Sequence, residues 1–475
     1  MSQDQSLRLI EPTELLEQHL RIMQDAVNIE PFMPYDERIR HLRALRKLLV
    51  VHQLEIAQAI NKDFGNRPEQ ETKLAEIYGS VSNIDDAVRH LKKWMKPQRR
   101  STGIWFKPGK SRVIPQPKGV VGIVTPWNYP IFLSFGPLTS AIAAGNRCML
   151  KMASNSQHLK NVLEPLFKRY FSEDVIAFLP NASARVFSAL PFDHLIFTGS
   201  AITGKQVMSA AANNLTPVTL ELGGKSPTII DKDFSTKLAL KRILFLKYLN
   251  AGQTCISPDY LFVHSSKAEE VIRTAQKIMK KRYSSIRDPN YTSIIDEKAF
   301  LRLQSYVREA EGKGCVVHNL LTGERFDEDA RKFMPMFVET EPDDDLALLN
   351  EEIFGPIMPI ITYDSIDEVL DYINARQRPL ALYLYSNDKA LVDKVLYSTL
   401  SGGVSINDCG LHVLQHDMPF GGVGHSGMGQ YHGYEGFLEF TKLRPVFYQS
   451  RFAQTRLLYP PYGTFFNKIY NMMVR

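Results

Sequence analysis

Cysteine is scarce in this chain, which has four cysteines among 475 residues, and no two of them form a CxxC pair. Neither a zinc site nor a disulfide framework is therefore predicted. No uncharged apolar run reaches the roughly 18 residues that a membrane-spanning helix needs. The N-terminal stretch MSQDQSLRLIEPTELLEQ is polar and lacks the charged-then-apolar order of a signal peptide. These absences favour a cytoplasmic protein in a reducing compartment.

The chain also lacks strong charge clustering. Its formal net charge is +6, and basic residues are spread along the sequence in short clusters such as KKR at 280–282. A nucleic-acid-binding surface is therefore not expected. A mildly basic protein would still attract anionic ligands such as a dinucleotide.

Hydrophobic periodicity changes along the chain. Apolar residues recur every three or four positions through the first hundred residues, which predicts helices with a break at 66–68. A Pro- and Gly-containing stretch at 97–119 predicts a projecting hairpin. From Gly119 onwards, β-branched strands alternate with helices, which predicts an α/β fold with a doubly wound parallel sheet and a second α/β block after Asp231. We predict domains at 1–96 with 119–218 and at 219–405, joined by segments 97–118 and 406–475.

The stretch NAGQTCISPDY places Cys255 in a turn-like segment. A lone cysteine is often inert core packing, so the alternatives are a structural thiol and a nucleophile. Glu221, in TLELGGKSP, closes an apolar strand. It is either a solvent contact at the sheet edge or a general base whose pKa burial raises.

Two further turns follow predicted strands. In TPWNYP, two prolines bracket Trp127 and Asn128. This is either a simple turn or a rigid loop that aims an amide N–H at a developing oxyanion. In FTGSAITG, Gly199 and Ser200 precede a helix whose backbone N–H groups would favour phosphate, although a glycine at a strand–helix turn is common.

Taken together, these segments resemble the aldehyde dehydrogenases over almost the whole chain. The segments that carry the resemblance, in the family's order, are TPWNYP, MLKM, FTGS, LELGGKSP, GQTC, EEIFGPI and PFGGVGHSG. Within the family, CISPDY, RPLALYLYS, GMGQYHGYEGF and RLLYPPYG look most similar to the class 3 branch, and there to the coniferyl aldehyde dehydrogenases. The resemblance implies a Rossmann-like cofactor domain at 1–96 and 119–218, a catalytic domain at 219–405 and a small β oligomerisation arm.

The resemblance also implies roles for the catalytic residues. Cys255 would attack the aldehyde carbon as a thiolate. The Asn128 amide and the Cys255 backbone N–H would stabilise the oxyanion. The resulting thiohemiacetal would lose hydride to the cofactor and become a thioester, and Glu221 would activate the water that hydrolyses it.

NAD or NADP is the cofactor that the resemblance implies. Lys151 matches the family's ribose-binding lysine, and Gly199 and Ser200 match the turn that meets the pyrophosphate. Glu352 and Phe354 match the residues that hold the nicotinamide ribose and ring. Trp127 lies in the loop on the cofactor side.

The chain departs from the family pattern at Ser154, in KMASNS, where a ribose-binding glutamate is usual. A carboxylate there would repel a 2′-phosphate, whereas serine would not, and Lys151 could pair with the phosphate. We therefore expect NADP to be accepted.

The expected substrate is an aromatic aldehyde such as coniferaldehyde, or a medium- to long-chain aliphatic one. A CoA-acylating enzyme and a non-catalytic binding protein of the same fold are the alternatives. Class 3 relatives form dimers, so a homodimer is expected. No metal is expected, and weak peripheral contact of the aromatic, basic C-terminal tail with a membrane surface is a further expectation.

Overall fold

The computed structural model describes residues 12–474. Most of the polar N-terminal stretch noted above, residues 1–11, and Arg475 of the tail lie outside the described residues. Residues 12–474 contain these α-helices: α1 Pro12–Ile29, α2 Tyr35–Val51, α3 Gln53–Phe64, α4 Glu69–Thr72, α5 Gly79–Trp94, α6 Phe132–Ala144, α7 Gln157–Tyr170, α8 Ala184–Ser188, α9 Ala201–Ala212, α10 Thr236–Tyr248, α11 Ala268–Arg282, α12 Glu297–Gly312, α13 Ala347–Asn350, α14 Ile366–Asn374, α15 Lys389–Ser398, α16 Gly433–Glu439 and α17 Thr464–Met473. A π-helical turn at Lys73–Tyr78 joins α4 to α5.

The strands within the same residues are β1 Gln98–Arg100, β2 Lys110–Pro117, β3 Val120–Thr125, β4 Arg147–Met152, β5 Ile176–Phe178, β6 His194–Gly199, β7 Val218–Leu222, β8 Ser226–Ile230, β9 Pro258–His264, β10 Val317–Asn319, β11 Phe326–Asp327, β12 Lys332–Phe333, β13 Met336–Thr340, β14 Ile357–Tyr363, β15 Ala381–Tyr385, β16 Gly403–Ile406, β17 Gly427–Met428 and β18 Thr441–Tyr448. They form two large sheets, a three-stranded sheet and a two-stranded ribbon of β11 and β12.

The first large sheet has the strand order β17-β7-β6-β3-β4-β5. All its pairings are parallel except that of β17 with β7. Val121 and Ile123 of β3 pack into one core cluster, and Val120 and Val124 into another, so helices cover both faces. The strand order reverses at β3, since β4 lies on one side and β6 on the other. In such sheets ligands bind beyond the carboxyl ends of the strands at the reversal.

The second large sheet has the order β10-β13-β14-β9-β8-β15-β16 and is parallel except for β10. It confirms the predicted second α/β block. The segment that carries Cys255 precedes β9, at that strand's amino end.

The third sheet is the predicted projecting hairpin, extended by one strand. β1 pairs antiparallel with β2, and β18 pairs with β2 over its full length, from Thr441 opposite Pro117 to Tyr448 opposite Lys110. Sequence periodicity did not reveal this return of the C-terminal region. None of the helices within residues 12–474 is both long and apolar enough to cross a bilayer.

One predicted domain boundary falls inside a strand. Residue 219 lies within β7, which pairs with β6 through Leu222. Because that pairing keeps the strand in the first sheet, Glu221 lies on the first sheet and the second block begins after it. The bridging segment from 406 onwards also returns to this sheet, where Gly427 of β17 pairs with Glu221.

Candidate active site

The segment before Cys255 has an unusual backbone. Asn250, Ala251 and Gly252 have φ values of +53°, +51° and +78° in succession. For a residue other than glycine, this left-handed backbone conformation costs on the order of 1 kcal/mol or more, so contacts with the rest of the protein must stabilise it. A Cβ at Gly252 would lie 2.4 Å from the carbonyl oxygen of Gly355. This close approach requires glycine at position 252.

Hydrogen bonds from distant parts of the chain fix this strained turn. The Asn250 backbone N–H donates to Glu71 Oε2 at 3.0 Å. The Gln253 side chain donates to the carbonyl of Ser293 at 3.1 Å and accepts from the Ile295 N–H at 2.9 Å. The turn is therefore anchored to both the N-terminal helices and the second block.

Cys255 itself is half-buried. Burial raises the pKa of its thiol to about 12, and the negative charges of Glu352 and Glu221 add to the rise. Backbone N–H groups of Cys255 and Ile256 oppose this shift. The carboxyl groups of Glu352 and Glu221 therefore lie close enough to the thiol to act on its charge.

Asn128 lies buried in the turn after β3. Its Nδ2 atom donates to the carbonyl oxygen of Gln253 at 3.2 Å, so the amide sits against the segment that carries Cys255. An amide nitrogen has two N–H donors, and one bond to Gln253 leaves the second N–H for a ligand. The neighbouring Tyr129 hydroxyl lies 2.8 Å from the hydroxyl of Thr254. The segment of Asn128 and the segment of Cys255 are thus in direct contact.

A buried ion pair, which sequence reasoning missed, holds the Asn128 turn. Arg67 Nη1 lies 2.7 Å from Glu76 Oε1, and both side chains are fully buried. The same Nη1 donates to the carbonyl oxygen of Asn128 at 3.1 Å. Glu76 Oε2 accepts from the Ile131 N–H at 2.6 Å. No motif in the sequence links Arg67 to the turn, because 61 residues separate it from Asn128.

Glu221, at the end of β7, is only 3% exposed. No side chain or backbone group among residues 12–474 hydrogen-bonds to either of its carboxylate oxygens. Burial raises its pKa well above the usual value, and the negative charge of Glu439 adds to the shift. An orphaned carboxyl with a raised pKa has the properties of a general base. The alternative of a solvent contact at the sheet edge is wrong.

Glu352 packs against the glycine pair of LELGGKSP. A Cβ at Gly223 would lie 2.1 Å from Glu352 Oε2, so a side chain there would displace the carboxylate. Burial and the charge of Asp259 raise the pKa of Glu352 to about 8. Lys225 helps to fix this segment by donating to the carbonyl of Leu348 at 2.8 Å. Lys225 and Asp259 are also positioning residues that the sequence did not reveal.

Aromatic rings complete this side of the site. Phe354 has a φ of +47°, which turns the chain sharply after Glu352. Its ring meets that of Trp127 edge-on, with centroids 5.6 Å apart. Trp127 in turn lies 6.0 Å from Phe64. Packing alone would explain Phe354, but its position places it beside the loop that carries Asn128.

The remaining predicted residues lie at the carboxyl edge of the first sheet. Lys151 is the penultimate residue of β4 and is buried, while Ser154 is exposed just beyond the strand. Gly199 ends β6, and Ser200 caps α9 through its Oγ atom, which accepts from the Thr203 N–H at 3.3 Å. Backbone N–H groups at the start of a helix such as α9 favour anions such as a pyrophosphate.

These features fit a dinucleotide. Buried Lys151 has no acidic side chain within ion-pair distance among the described residues. The start of α9 at Ser200, the Glu352 carboxylate packed against Gly223, and the unpaired Glu221 all lie at the carboxyl edge of the first sheet. The site therefore offers positive charge and N–H donors for phosphates, and carboxylates for ribose hydroxyls.

No group of three or more His, Cys, Asp or Glu side chains within residues 12–474 is arranged to hold a metal ion. Two of the loop histidines have hydrogen-bond partners. His412 Nδ1 lies 2.9 Å from Ser405 Oγ, and His416 Nε2 lies 2.7 Å from Ser82 Oγ. Both histidines are therefore engaged in hydrogen bonds to serine hydroxyls.

Comparison with known proteins gives a consistent result. The family model described as "Aldehyde dehydrogenase family" matches residues 14–446. The chain is 47% identical to a "Probable coniferyl aldehyde dehydrogenase" of Pseudomonas aeruginosa, over 94% of each chain. It is 42% identical to the "Coniferyl aldehyde dehydrogenase" of a Pseudomonas species, over 90% of this chain and 89% of that one.

Solved structures share the fold. The substrate-bound state of Staphylococcus aureus AldH has a TM-score of 0.90 at 35% identity, covering 96% of this chain and 99% of that one. An NADP-dependent enzyme of E. coli has a TM-score of 0.82 at 26% identity, covering 92% and 91%. An NAD-dependent aldehyde dehydrogenase of Sinorhizobium meliloti has a TM-score of 0.82 at 25% identity, covering 95% and 89%.

Proposed function

The chain belongs to the aldehyde dehydrogenase family, and on that premise we propose that its substrate is an aromatic aldehyde of the coniferaldehyde type. It is an oxidoreductase that converts an aldehyde into the carboxylic acid with NAD or NADP. The names of the two Pseudomonas relatives support the aromatic class. Medium- and long-chain aliphatic aldehydes are the alternative substrates. The contact between the Asn128 amide and the cysteine segment is the observation that carries the mechanism.

Cys255 acts as the nucleophile. Its thiolate bonds to the aldehyde carbon, and the carbonyl oxygen becomes an oxyanion. The free N–H of the Asn128 amide and the Cys255 backbone N–H stabilise that oxyanion. One such donor contributes roughly a hundred- to a thousandfold in rate. Because Gln253 and Arg67 hold the Asn128 turn before substrate arrives, little reorganisation accompanies the step.

A bound nicotinamide would supply the acceptor for the hydride that leaves the tetrahedral carbon. On the protein side, Glu352 would hold the nicotinamide ribose, and Phe354 and Trp127 would pack beside the ring. Gly199 and Ser200 would meet the pyrophosphate at the start of α9. Lys151 and Ser154 would line the adenosine end, where the absence of a carboxylate at residue 154 allows either cofactor.

Glu221 serves the hydrolytic half of the reaction. Oxidation leaves Cys255 esterified as a thioester. Glu221 takes a proton from the attacking water, the hydroxyl adds to the acyl carbon, and the carbon–sulfur bond breaks to release the acid and the thiolate. A carboxylate with a raised pKa is a stronger base than an exposed one. Its orphaned oxygens leave room for that water.

Two alternatives make different predictions. A CoA-acylating enzyme would pass the acyl group to CoA, and such family members generally lack the Glu221 carboxylate. Adding CoA should therefore yield no acyl-CoA here. A binding protein of the same fold would not turn over any aldehyde.

The test measures NAD(P)H fluorescence and the acid product by chromatography, with coniferaldehyde and octanal as substrates. Wild type should oxidise coniferaldehyde with the higher kcat/KM, and Cys255→Ala should lose activity. Cys315→Ala is the matched control, since that thiol is half-buried elsewhere. Preference for octanal would overturn the substrate class, and full activity in Cys255→Ala would overturn the mechanism.

We propose further that the chain is a cytoplasmic homodimer joined through its arm and C-terminal region. The edge strand β18 exposes Leu443, Phe447 and Tyr448, and α17 exposes Phe465 and Tyr470, a pattern that favours a partner surface. Analytical ultracentrifugation should give a dimer, and truncation at residue 450 should weaken it. A monomeric full-length chain would contradict this.

We also propose weak contact of the C-terminal tail with a membrane surface. The full-length chain should then co-sediment with anionic vesicles, and truncation at residue 450 should abolish this co-sedimentation.

A further inference from the structure

Lys160 is a lysine that the catalytic scheme does not use. It lies on α7 and is only 4% exposed, although lysine is among the side chains least often buried. Its Nζ atom donates to the backbone carbonyl of Ser154 at 3.4 Å. No acidic side chain among residues 12–474 lies within ion-pair distance of it. A buried ammonium group with one weak neutral partner is costly unless an anion compensates for it.

The acidic side chain whose charge acts on Lys160 is already engaged. Asp63 raises the pKa of Lys160 by its charge, but its two oxygens serve the start of α7. Asp63 Oδ1 accepts from the His158 N–H at 2.8 Å, and Oδ2 accepts from the Leu159 N–H at 3.0 Å. The carboxylate thus caps the helix and leaves the ammonium group without a direct counterion.

A second buried lysine stands close by. Lys151 is 8% exposed at the end of β4, and the positive charge of Lys160 lowers its pKa in addition to the effect of burial. Two ammonium groups that repel each other flank the loop at Ser154. That loop is at the carboxyl edge of the first sheet, where dinucleotides bind in folds of this class. An anion with two negative charges would relieve the repulsion.

We propose that Lys160, together with Lys151, binds the 2′-phosphate of NADP and makes this chain prefer NADP to NAD. The inference rests on the proposed use of a nicotinamide cofactor at this edge. Ser154 is exposed and neutral, so its side chain leaves space for the phosphate without repelling it. The phosphate carries nearly two negative charges at neutral pH, and each charge-assisted hydrogen bond to it is stronger than a neutral one.

Binding to the resting enzyme tests the proposal without catalysis. Calorimetry with 2′,5′-ADP and 5′-ADP gives the affinity ratio that the 2′-phosphate supplies. In Lys160→Met this ratio should fall about ten- to a hundredfold, the range for one hydrogen bond to a charged group. Lys160→Arg should retain most of the ratio. Lys168→Met is the matched control, because Lys168 lies on the same helix but is exposed and paired with Glu164 at 2.8 Å.

A second variant keeps the test decisive if Lys160→Met folds poorly. Ser154→Glu places a carboxylate between the two lysines, and the affinity ratio should then fall by more than tenfold while the fold is kept. A ratio that stays within threefold of wild type in both variants overturns the inference, as does an equal fall in Lys168→Met. Aldehyde oxidation that shows no preference between the cofactors would overturn the inference and leave the proposed function intact. If the ratio of the affinities for 2′,5′-ADP and 5′-ADP falls in the variants but the wild-type protein oxidises no aldehyde, the proposed function is wrong and the phosphate site stands.

Discussion

Replacing Arg67 by methionine tests whether a buried ion pair holds the turn that carries Asn128. Arg67 Nη1 contacts both Glu76 Oε1 at 2.7 Å and the carbonyl of Asn128 at 3.1 Å. Glu76 Oε2 accepts from the Ile131 N–H at 2.6 Å, three residues further along. The ion pair therefore hydrogen-bonds to the turn at two points, through Arg67 at Asn128 and through Glu76 at Ile131. Its loss should lower both the stability of the protein and its catalytic rate.

The expected loss of stability follows from what the variant leaves behind. Glu76 would be buried without its partner, and breaking a buried pair from one side costs about 3–5 kcal/mol. The Arg67 guanidinium also lies over the rings of Phe64 and Tyr129, at 5.1 and 4.9 Å, which contributes about 1 kcal/mol. Methionine fills much of the arginine volume, so the cavity contribution is small. We expect the free energy of unfolding at neutral pH to fall by about 4 kcal/mol.

The pH dependence gives an independent check. Burial already raises the pKa of Glu76, and Arg67 opposes that rise. Without Arg67, the folded-state pKa lies further above the unfolded value. A carboxyl with a raised folded-state pKa destabilises the protein as pH rises above the unfolded value. The gap between wild type and variant should therefore widen from mildly acidic to neutral pH.

Urea denaturation followed by circular dichroism measures the stability change, and the m-value shows whether the unfolding transition is preserved. The double variant Arg67→Met/Glu76→Gln removes the orphaned charge and should recover about half of the loss. In both variants kcat/KM should fall at least tenfold, because a displaced Asn128 no longer meets the oxyanion. A loss below about 1 kcal/mol with unchanged kcat/KM would refute the reasoning.

Three other predictions concern the cysteine turn and its carboxylates. Glu221→Gln should slow hydrolysis by about a hundredfold or more, so that intact-mass analysis during turnover shows an acyl adduct on Cys255; a rate equal to wild type contradicts the assigned base. The wild-type kcat/KM should rise from pH 6 to 9, because Cys255 attacks as a thiolate and burial raises the pKa of its thiol, and a flat profile would contradict this. Gly252→Ala should lower the free energy of unfolding by about 2 kcal/mol or more, since the added Cβ meets the Gly355 carbonyl at positive φ. The control Gly312→Ala meets nothing within 4 Å and should be neutral or stabilising in urea denaturation.

In folds of this class ligands bind beyond the carboxyl ends of the parallel strands, and the candidate site follows that rule. The carboxyl ends of β4, β6 and β7 carry Lys151, Gly199 and Glu221, and the turn after β3 carries Asn128, all at one edge of the first sheet. The second block contributes Cys255 and Glu352. Glu352 packs against Gly223, and the Asn128 amide contacts the cysteine segment. The site therefore depends on both blocks, which explains why the motifs are spread through the whole chain.

The sequence by itself determined the α/β class, the projecting hairpin and the segments that carry Cys255, Glu221 and Asn128. These features are local: strand patterning, turn residues and motif letters lie within a few positions of each other. Sequence patterning also predicted the second block, although the predicted boundary at residue 219 falls inside β7.

Only the tertiary structure decided how these segments are held. Two of these relations are contacts between distant parts of the chain, namely Arg67 with Asn128 and Glu352 with Gly223. The third is the lack of a counterion close to the buried Lys160. Such relations carry no local signal, because packing across large sequence separations sets them. The burial that raises the pKa values of Glu221 and Cys255 is likewise a property of the assembled core, since the same residues in an open chain would titrate normally.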